Sequence, residues 1–413
     1  MKIGKTYRLH SVVLLICAFG AISSLQAQDL NALIQMGLAN NTAIENADLQ
    51  YKLAVEKGNE VQVIPNTEFS MGYFVSEPET RTGPQVFKAS VKQMLPWFGS
   101  ITAREQYASS LADAQYETIA IAQRKLVMSI SQNYYELWAI KAKQEVLQEQ
   151  IELLKTFETL ALTSIEVGQA SAVDVLKLKM RQNEIQEKME VLKQDYLARQ
   201  TLINMDLNRE KEVAIVIPSD IEIPSEPDLQ IESINSLHPE LLQFDKLYES
   251  VQQSYALNQK ERAPMIGFGL DYITVQERQD MSIADNGKDI VMPMVSVSIP
   301  IFNSKYKSKA IQNEIQKETY KTQKADKKNS LTGVLDTAEK LRNAAKISYK
   351  TQLENLEQAK HAQEILLKSY ETGMIDFDDV LDIEELQLKY DVNRIEAVKM
   401  YYRQQAIINY LTQ

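Results

Sequence analysis

The sequence predicts a mainly α fold with a small β part, built as an internal tandem repeat. Three observations carry this. Two helical patterns each run for about 70 residues, far beyond the mean globular helix of about 12. Two pairs of segments alternate apolar and polar residues with a period of two. The landmarks of the first half recur in the second: Pro65 and Pro264 are 199 residues apart, Pro96 and Pro300 are 204, Gly168 and Gly373 are 205. With 13 Gly and 11 Pro among 413 residues, turns are sparse, which favours long elements over a many-looped α/β enzyme.

Residues 1–27 read as a signal peptide. Lys2, Lys5 and Arg8 precede an apolar run around Val12–Phe19, followed by Ser23–Ala27. The apolar run is too short for a stable span. Cleavage after Ala27 moves the net charge from −11 to −14 and discards Cys17, the single cysteine. The mature chain then has no disulfide and no cysteine metal site, and its acidity excludes nucleic acid as a partner. No later segment offers 18 consecutive apolar residues, so a membrane could be crossed only by a β-barrel.

The first repeat covers residues 28–209. Its opening helix has the stripe Leu30, Leu33, Ile34, Leu38, Ile44, Leu49 and Leu53, interrupted at Asn40-Asn41 and ended by Pro65. A β-hairpin follows over 66–95. Phe69, Met71, Tyr73 and Val75 share one face, with Phe74 the exception; Phe87, Ala89, Val91 and Leu95 alternate with Lys88, Ser90 and Lys92. Strands of roughly ten residues match a tilted bilayer crossing. A helical hairpin over 100–208 comes next. Its seam, Leu137, Ile140, Leu147, Ile151, Leu154, Ala161 and Ile165, steps by 3, 7, 4, 3, 7 and 4. About 70 residues at 1.5 Å each span about 100 Å.

Residues 210–230 read as a linker and equatorial segment with a short extended piece, where Val213, Ile215 and Ile217 alternate before Pro218, Pro224 and Pro227. The second repeat, 231–413, brings a helix interrupted at His238-Pro239, a β-hairpin over 265–301 and a helical hairpin over 303–412. Ile266, Phe268, Leu270 and Tyr272 mark one strand face, and Val291, Val295, Val297, Ile299 and Ile301 the other. Each repeat has a strand ending at proline and a helix beginning shortly after, where Ser100 or Ser304 can cap through its hydroxyl. From that proline to the helix-breaking glycine is 72 residues in one half and 73 in the other, so both hairpins end at one level. Four strands cannot close a barrel in lipid, whereas three copies supply twelve.

At this point the chain resembles the TolC family of outer-membrane efflux channels, across essentially the whole mature sequence. The residues that carry the likeness are Leu95-Pro96-Trp97-Phe98-Gly99 and Ile299-Pro300-Ile301-Phe302-Asn303. With them come Val167-Gly168-Gln169-Ala170-Ser171 and Tyr370-Glu371-Thr372-Gly373-Met374, each followed by Asp-Val-Leu. The resemblance implies a TolC-like α-helical tunnel and a 12-stranded transmembrane β-barrel shared by a homotrimer, four strands per protomer. It implies an outer-membrane exit duct, extending into the periplasm, in contact with outer-membrane lipid. Its partners would be a periplasmic adaptor (a membrane fusion protein) and an inner-membrane pump, in a tripartite efflux system. A type I protein secretion duct is an alternative. A periplasmic coiled-coil protein is another, and the alternating strands argue against it.

By the same resemblance, Asp379 and Asp382 would line the periplasmic gate. Three residues apart, they share a helix face, and a trimer would repeat them around one axis. Ile375 stands where the family pattern has an arginine involved in closing links. Gly168, Gln169, Ala170, Ser171, Gly373, Met374 and Ile375 would form the adaptor-docking tip. Pro96, Trp97, Phe98, Pro300 and Phe302 would mark the junction of barrel and tunnel, as an aromatic girdle or as packing inside it.

Enzymatic chemistry is not indicated. Gly267-Phe268-Gly269 lacks the third glycine and following helix of a dinucleotide loop. His238 and His361 have no partner at ligand spacing, so no metal or cofactor is assigned. Glu371, Asp376, Asp378, Asp379, Asp382, Glu384 and Glu385 fall within fifteen residues without a basic residue, and the first of these suit a helix start. Met71, Met94, Met265, Met292 and Met294 cluster near the strands, where thioethers serve as apolar filler or as soft-metal ligands.

Overall fold

The computed structural model describes residues 29–166, 171–225, 234, 237–280, 282–302, 304–371, 374–375 and 377–413. The expected signal peptide, Gly168, Gln169, Ala170, Gly373 and Asp376 lie outside the described residues, as do 226–230 of the linker. The helices are α1 (Leu30–Asn40), α2 (Thr42–Glu60), α3 (Ser100–Glu166), α4 (Ala172–Asp206), α5 (Pro239–Glu261), α6 (Ser304–Glu371) and α7 (Phe377–Thr412). The strands are β1 (Glu68–Tyr73), β2 (Glu79–Thr80), β3 (Gly83–Leu95), β4 (Met265–Val275) and β5 (Ile290–Ser298). The chain forms two compact units. One comprises 43–123 and 234–333, the other residues up to 42 with 124–233 and 334–413.

The first unit holds the sheet. Its strands are antiparallel in the order β1-β3-β4-β5, with β2 a two-residue addition to β3. The register sorts side chains into two faces. Phe69 lies opposite Val91, which lies opposite Leu270. Tyr272 lies opposite both Ala89 and Val291, and Phe268 opposite Val295. This apolar row is exposed: Phe69 by 76%, Met71 by 78% and Val295 by 70%. Across the sheet, Ser70, Ser90 and Asp271 form one polar rank, and Glu68 and Lys92 stand in the next. Asp271 is fully buried there and paired with Lys88. The predicted alternation is present in β4, whose outward residues are exposed and whose inward ones are mostly buried.

Two expectations need correction. β1 is six residues long rather than about ten, because Phe74 breaks the alternation and Val75 leaves the ladder. Ser100 and Ser304 are the first residues of their helices rather than caps. At the first joint the turn is made by Gly99, whose φ of +78° suits a residue without Cβ. Ser100 is buried, and its N–H donates to the Trp97 carbonyl at 3.0 Å. Trp97 and Phe98 meet edge to face at 5.8 Å, and Phe98 and Phe302 are largely exposed in the single chain. α5 starts at Pro239 as expected from the His238-Pro239 break. His238 is buried and accepts from the Glu240 N–H through Nδ1, which makes it a cap.

The second unit is helical. The predicted seam is its core: Leu137, Ile140, Leu147, Ile151, Leu154 and Ala161 are all buried. The linker lies extended against it, and side-chain donors satisfy its carbonyls. Asn204 Nδ2 donates to Lys211 O at 2.9 Å and Val213 O at 2.8 Å. Gln200 Nε2 donates to Glu212 O and Val213 O, both at 2.9 Å. Tyr196 donates to Ile215 O, Lys141 to Ile217 O and Tyr402 to Glu222 O. Asn204→Ala removes the donor to Lys211 O and leaves Val213 O with Gln200 alone, a loss of about 1 kcal/mol by the usual worth of such bonds. Faster amide hydrogen exchange in residues 211–217, with the rest of the chain unchanged, is the expected result.

Candidate functional site

The hairpin ends of the helical unit carry the candidate gate and tip. α4 opens on a capping box: Ser171 Oγ accepts from Val173 N–H at 3.1 Å, and Asp174 Oδ2 accepts from Ser171 N–H at 3.0 Å. α7 opens with Asp378 and Asp379 in its first turn, complementing the positive end of the helix. One apolar cluster joins the ends of both hairpins. Leu154 and Ala161 of α3, Val175 and Leu178 of α4 and Val380 of α7 are buried in it. Tyr370 of α6 packs against it.

Ile375 packs against this cluster too, while Met374 is exposed and donates its N–H to Ser369 O at 2.9 Å. The position where the family pattern has an arginine is thus an apolar anchor. Of the residues expected at the tip, Ser171, Met374 and Ile375 are described; Gly168, Gln169, Ala170 and Gly373 are not.

Asp379 and Asp382 are both exposed, on the first turns of α7, and neither has an ion pair or hydrogen bond among the described residues. Their neighbours differ. Lys177 Nζ reaches Asp378 Oδ1 at 2.8 Å and Oδ2 at 2.6 Å. One turn on, Arg181 pairs with Glu385. These pairs tie α4 to α7, one repeat to the other. A groove between the same helices, lined by Leu154, Met180 and Leu381, runs beside Asp382.

Beneath the charged rim sits Glu384, buried in the protein. It accepts from Gln363 of α6, and Gln387 donates onward to Gln363 Oε1 at 2.9 Å. Burial raises the Glu384 carboxyl above the usual carboxylate range, while hydrogen bonds from Gln363 and Gln150 act in the opposite direction.

Sequence reasoning isolated the acidic run but missed Lys177, Arg181 and Glu384. The run contains no basic residue, and its counter-charges come from the other repeat. The spacing held a signal: Lys177 and Arg181 are four apart on α4, facing acidic residues seven apart on α7. Glu384 stood out only as one more acid, since burial is not visible in a charge count.

Solved structures were found with the same architecture. The chain is similar to CusC, the subject of work on folding and transmembrane channel formation, at 14% identity and a TM-score of 0.77, over 94% of this chain and 92% of that one. It is similar to the outer membrane protein VceC of Vibrio cholerae at 14% identity and a TM-score of 0.74, over 94% and 96%. It is similar to the CmeC outer membrane channel of Campylobacter jejuni at 13% identity and a TM-score of 0.72, over 93% and 85%. No protein-family model matches the sequence, and no curated protein matches it. At these identities the likeness establishes the fold: a TolC-like channel architecture with long helical hairpins and a small antiparallel sheet.

A carboxyl whose pKa is raised on folding contributes stability below its unfolded value and loses it as pH rises through the folded value. Glu384→Gln removes that ionisation and keeps an acceptor. The variant is expected to melt above wild type at about pH 7.5 and to lose the advantage at about pH 3, below the ordinary glutamate range. Circular dichroism melts at both pH values measure it.

Proposed function

We propose that this chain is one protomer of an outer-membrane exit duct, closed as a homotrimer and serving a tripartite efflux system without chemistry of its own. The observation that carries the reading is the sheet. Its apolar face is exposed in the single chain, its other face is polar, and β1 and β5 are open edges. Among the described residues no helix is long and apolar enough to cross a membrane. A closed barrel of three such sheets would put the apolar face on lipid, pair the edges and leave the polar face on a lumen. The TolC-like fold of the similar outer-membrane channels supports the same arrangement, with the helices in the periplasm.

In this reading the tip, with Ser171, Met374 and Ile375 and the glycine turns, meets a periplasmic adaptor that links the duct to an inner-membrane pump. Asp379 and Asp382 line the entrance, unpaired and therefore open to solvent cations. The closing links run through Lys177–Asp378 and Arg181–Glu385, since Ile375 offers no charge. Trp97, Phe98 and Phe302, exposed beside the strand ends at Pro96 and Pro300, sit at the lipid boundary as an aromatic girdle.

Recovery in the outer-membrane fraction, heat-modifiable gel migration and trimer-sized channels in planar bilayers are the expected results. A soluble periplasmic protein without conductance would sink the reading. Replacing Asp379 and Asp382 with alanine is expected to weaken block of the pore by multivalent cations in the same bilayers; unchanged block removes them from the entrance. Lys177→Ala combined with Arg181→Ala is expected to raise the resting conductance, and an unaltered closed state would assign closure to other contacts.

A further inference from the structure

The five methionines near the strands do not share one place. The register puts Met71 opposite Ala89, on the apolar face. It puts Met94, Met265, Met292 and Met294 on the other face. There, Gly267 and Gly269 leave two successive inward positions of β4 without side chains, and two methionines occupy the space from opposite sides. Met94 reaches over Gly267 from β3: a Cβ at 267 would collide with its sulfur and with the Ser296 hydroxyl. Met294 reaches over Gly269 from β5, its Cε 3.4 Å from where that Cβ would stand. Ser296 Oγ lies 3.8 Å from Met94 Sδ. Two positions along a strand are about 7 Å. Unbranched side chains with three rotatable bonds can close such a gap around a common ion.

The surroundings select the kind of ion. The nearest carboxylate on this face of β4, Asp271, is held by Lys88. Lys92 stands opposite Gly269, with Glu68 on its far side. A hard cation would meet neutral thioethers and an ammonium group there. A soft one gains from the sulfur ligands themselves.

We propose that Met94 and Met294 form a chelating site for a soft monovalent cation, Cu(I) or Ag(I), on the inward face of the sheet. The site is a property of the sheet; only its facing a lumen rests on the export reading. Cys17 is the single cysteine and falls in the expected signal peptide, so no thiol of the mature chain competes for the metal.

Equilibrium dialysis of the purified mature protein, from Gln28 onward, in detergent against Ag(I) tests it. Wild type is expected to bind one ion per chain saturably. Met94→Leu with Met294→Leu, a near volume-conserving pair, is expected to weaken that binding about tenfold or more, and Met71→Leu on the opposite face to leave it intact. The methyl resonances of Met94 and Met294 in labelled wild type are expected to shift together on adding Ag(I), a reading that needs no variant. Absence of saturable binding, full binding by the double variant, an equal loss in Met71→Leu or unmoved methyls would each overturn the site. None of these outcomes depends on conductance, so failure here is separable from failure of the duct reading.

Discussion

Backbone hydrogen bonding at two strand edges is the constraint on which the rest depends. β1 and β5 each pair on one side only, so each presents a row of N–H and C=O groups that the chain itself does not satisfy. In water such edges invite association; in lipid they are intolerable. The exposed apolar row over Phe69, Leu270 and Val295 poses the same demand from the sheet face. A lipid-embedded ring of copies, as proposed, would answer both. Exposed apolar residues on α4 and α6, among them Leu176, Met180, Ile311 and Ile315, are likewise uncovered in the single chain.

Much of this was legible in the sequence because long-range order here is written in short-range patterns. The step pattern from Leu137 to Ala161 specifies a buried seam, and each of those residues is buried. The alternation from Ile266 to Tyr272 specifies a strand face, and the register confirms it. The breaks at Asn41 and at His238-Pro239 lie where α1 ends and α5 begins. What escaped had no local pattern. The cap at Ser100 failed because Gly99 takes the left-handed turn, so the helix starts on the serine itself; Ser304 is likewise the first residue of its helix. The counter-charges of Asp378 and Glu385 escaped because they lie about 200 residues away in the chain and two helices meet there only after folding.

The linker shows how a duplicated chain joins its halves without adding an element. Its carbonyls at Lys211, Glu212, Val213, Ile215, Ile217 and Glu222 take donors from helices α3, α4 and α7. Three of those donors are amide or ammonium side chains that would be costly to bury unpaired. The strap and the helices therefore satisfy each other, and these bonds tie down the proline-punctuated linker from Lys211 to Glu222.

The apolar Ile375 has a consequence for how α4 and α7 are held at their first turns. With no charge at that position, the ionic ties between these helices among the described residues are the exposed pairs Lys177–Asp378 and Arg181–Glu385, laid over the buried apolar contacts of Val175, Leu178 and Val380. Such exposed pairs contribute little, and mobile ions weaken them further. The Debye length falls from about 30 Å at 0.01 M to about 8 Å at 0.15 M ionic strength. The ionic part of the hold between the two helices thus fades as the surrounding fluid becomes saltier, and the buried cluster, which mobile ions do not screen, is left to carry it.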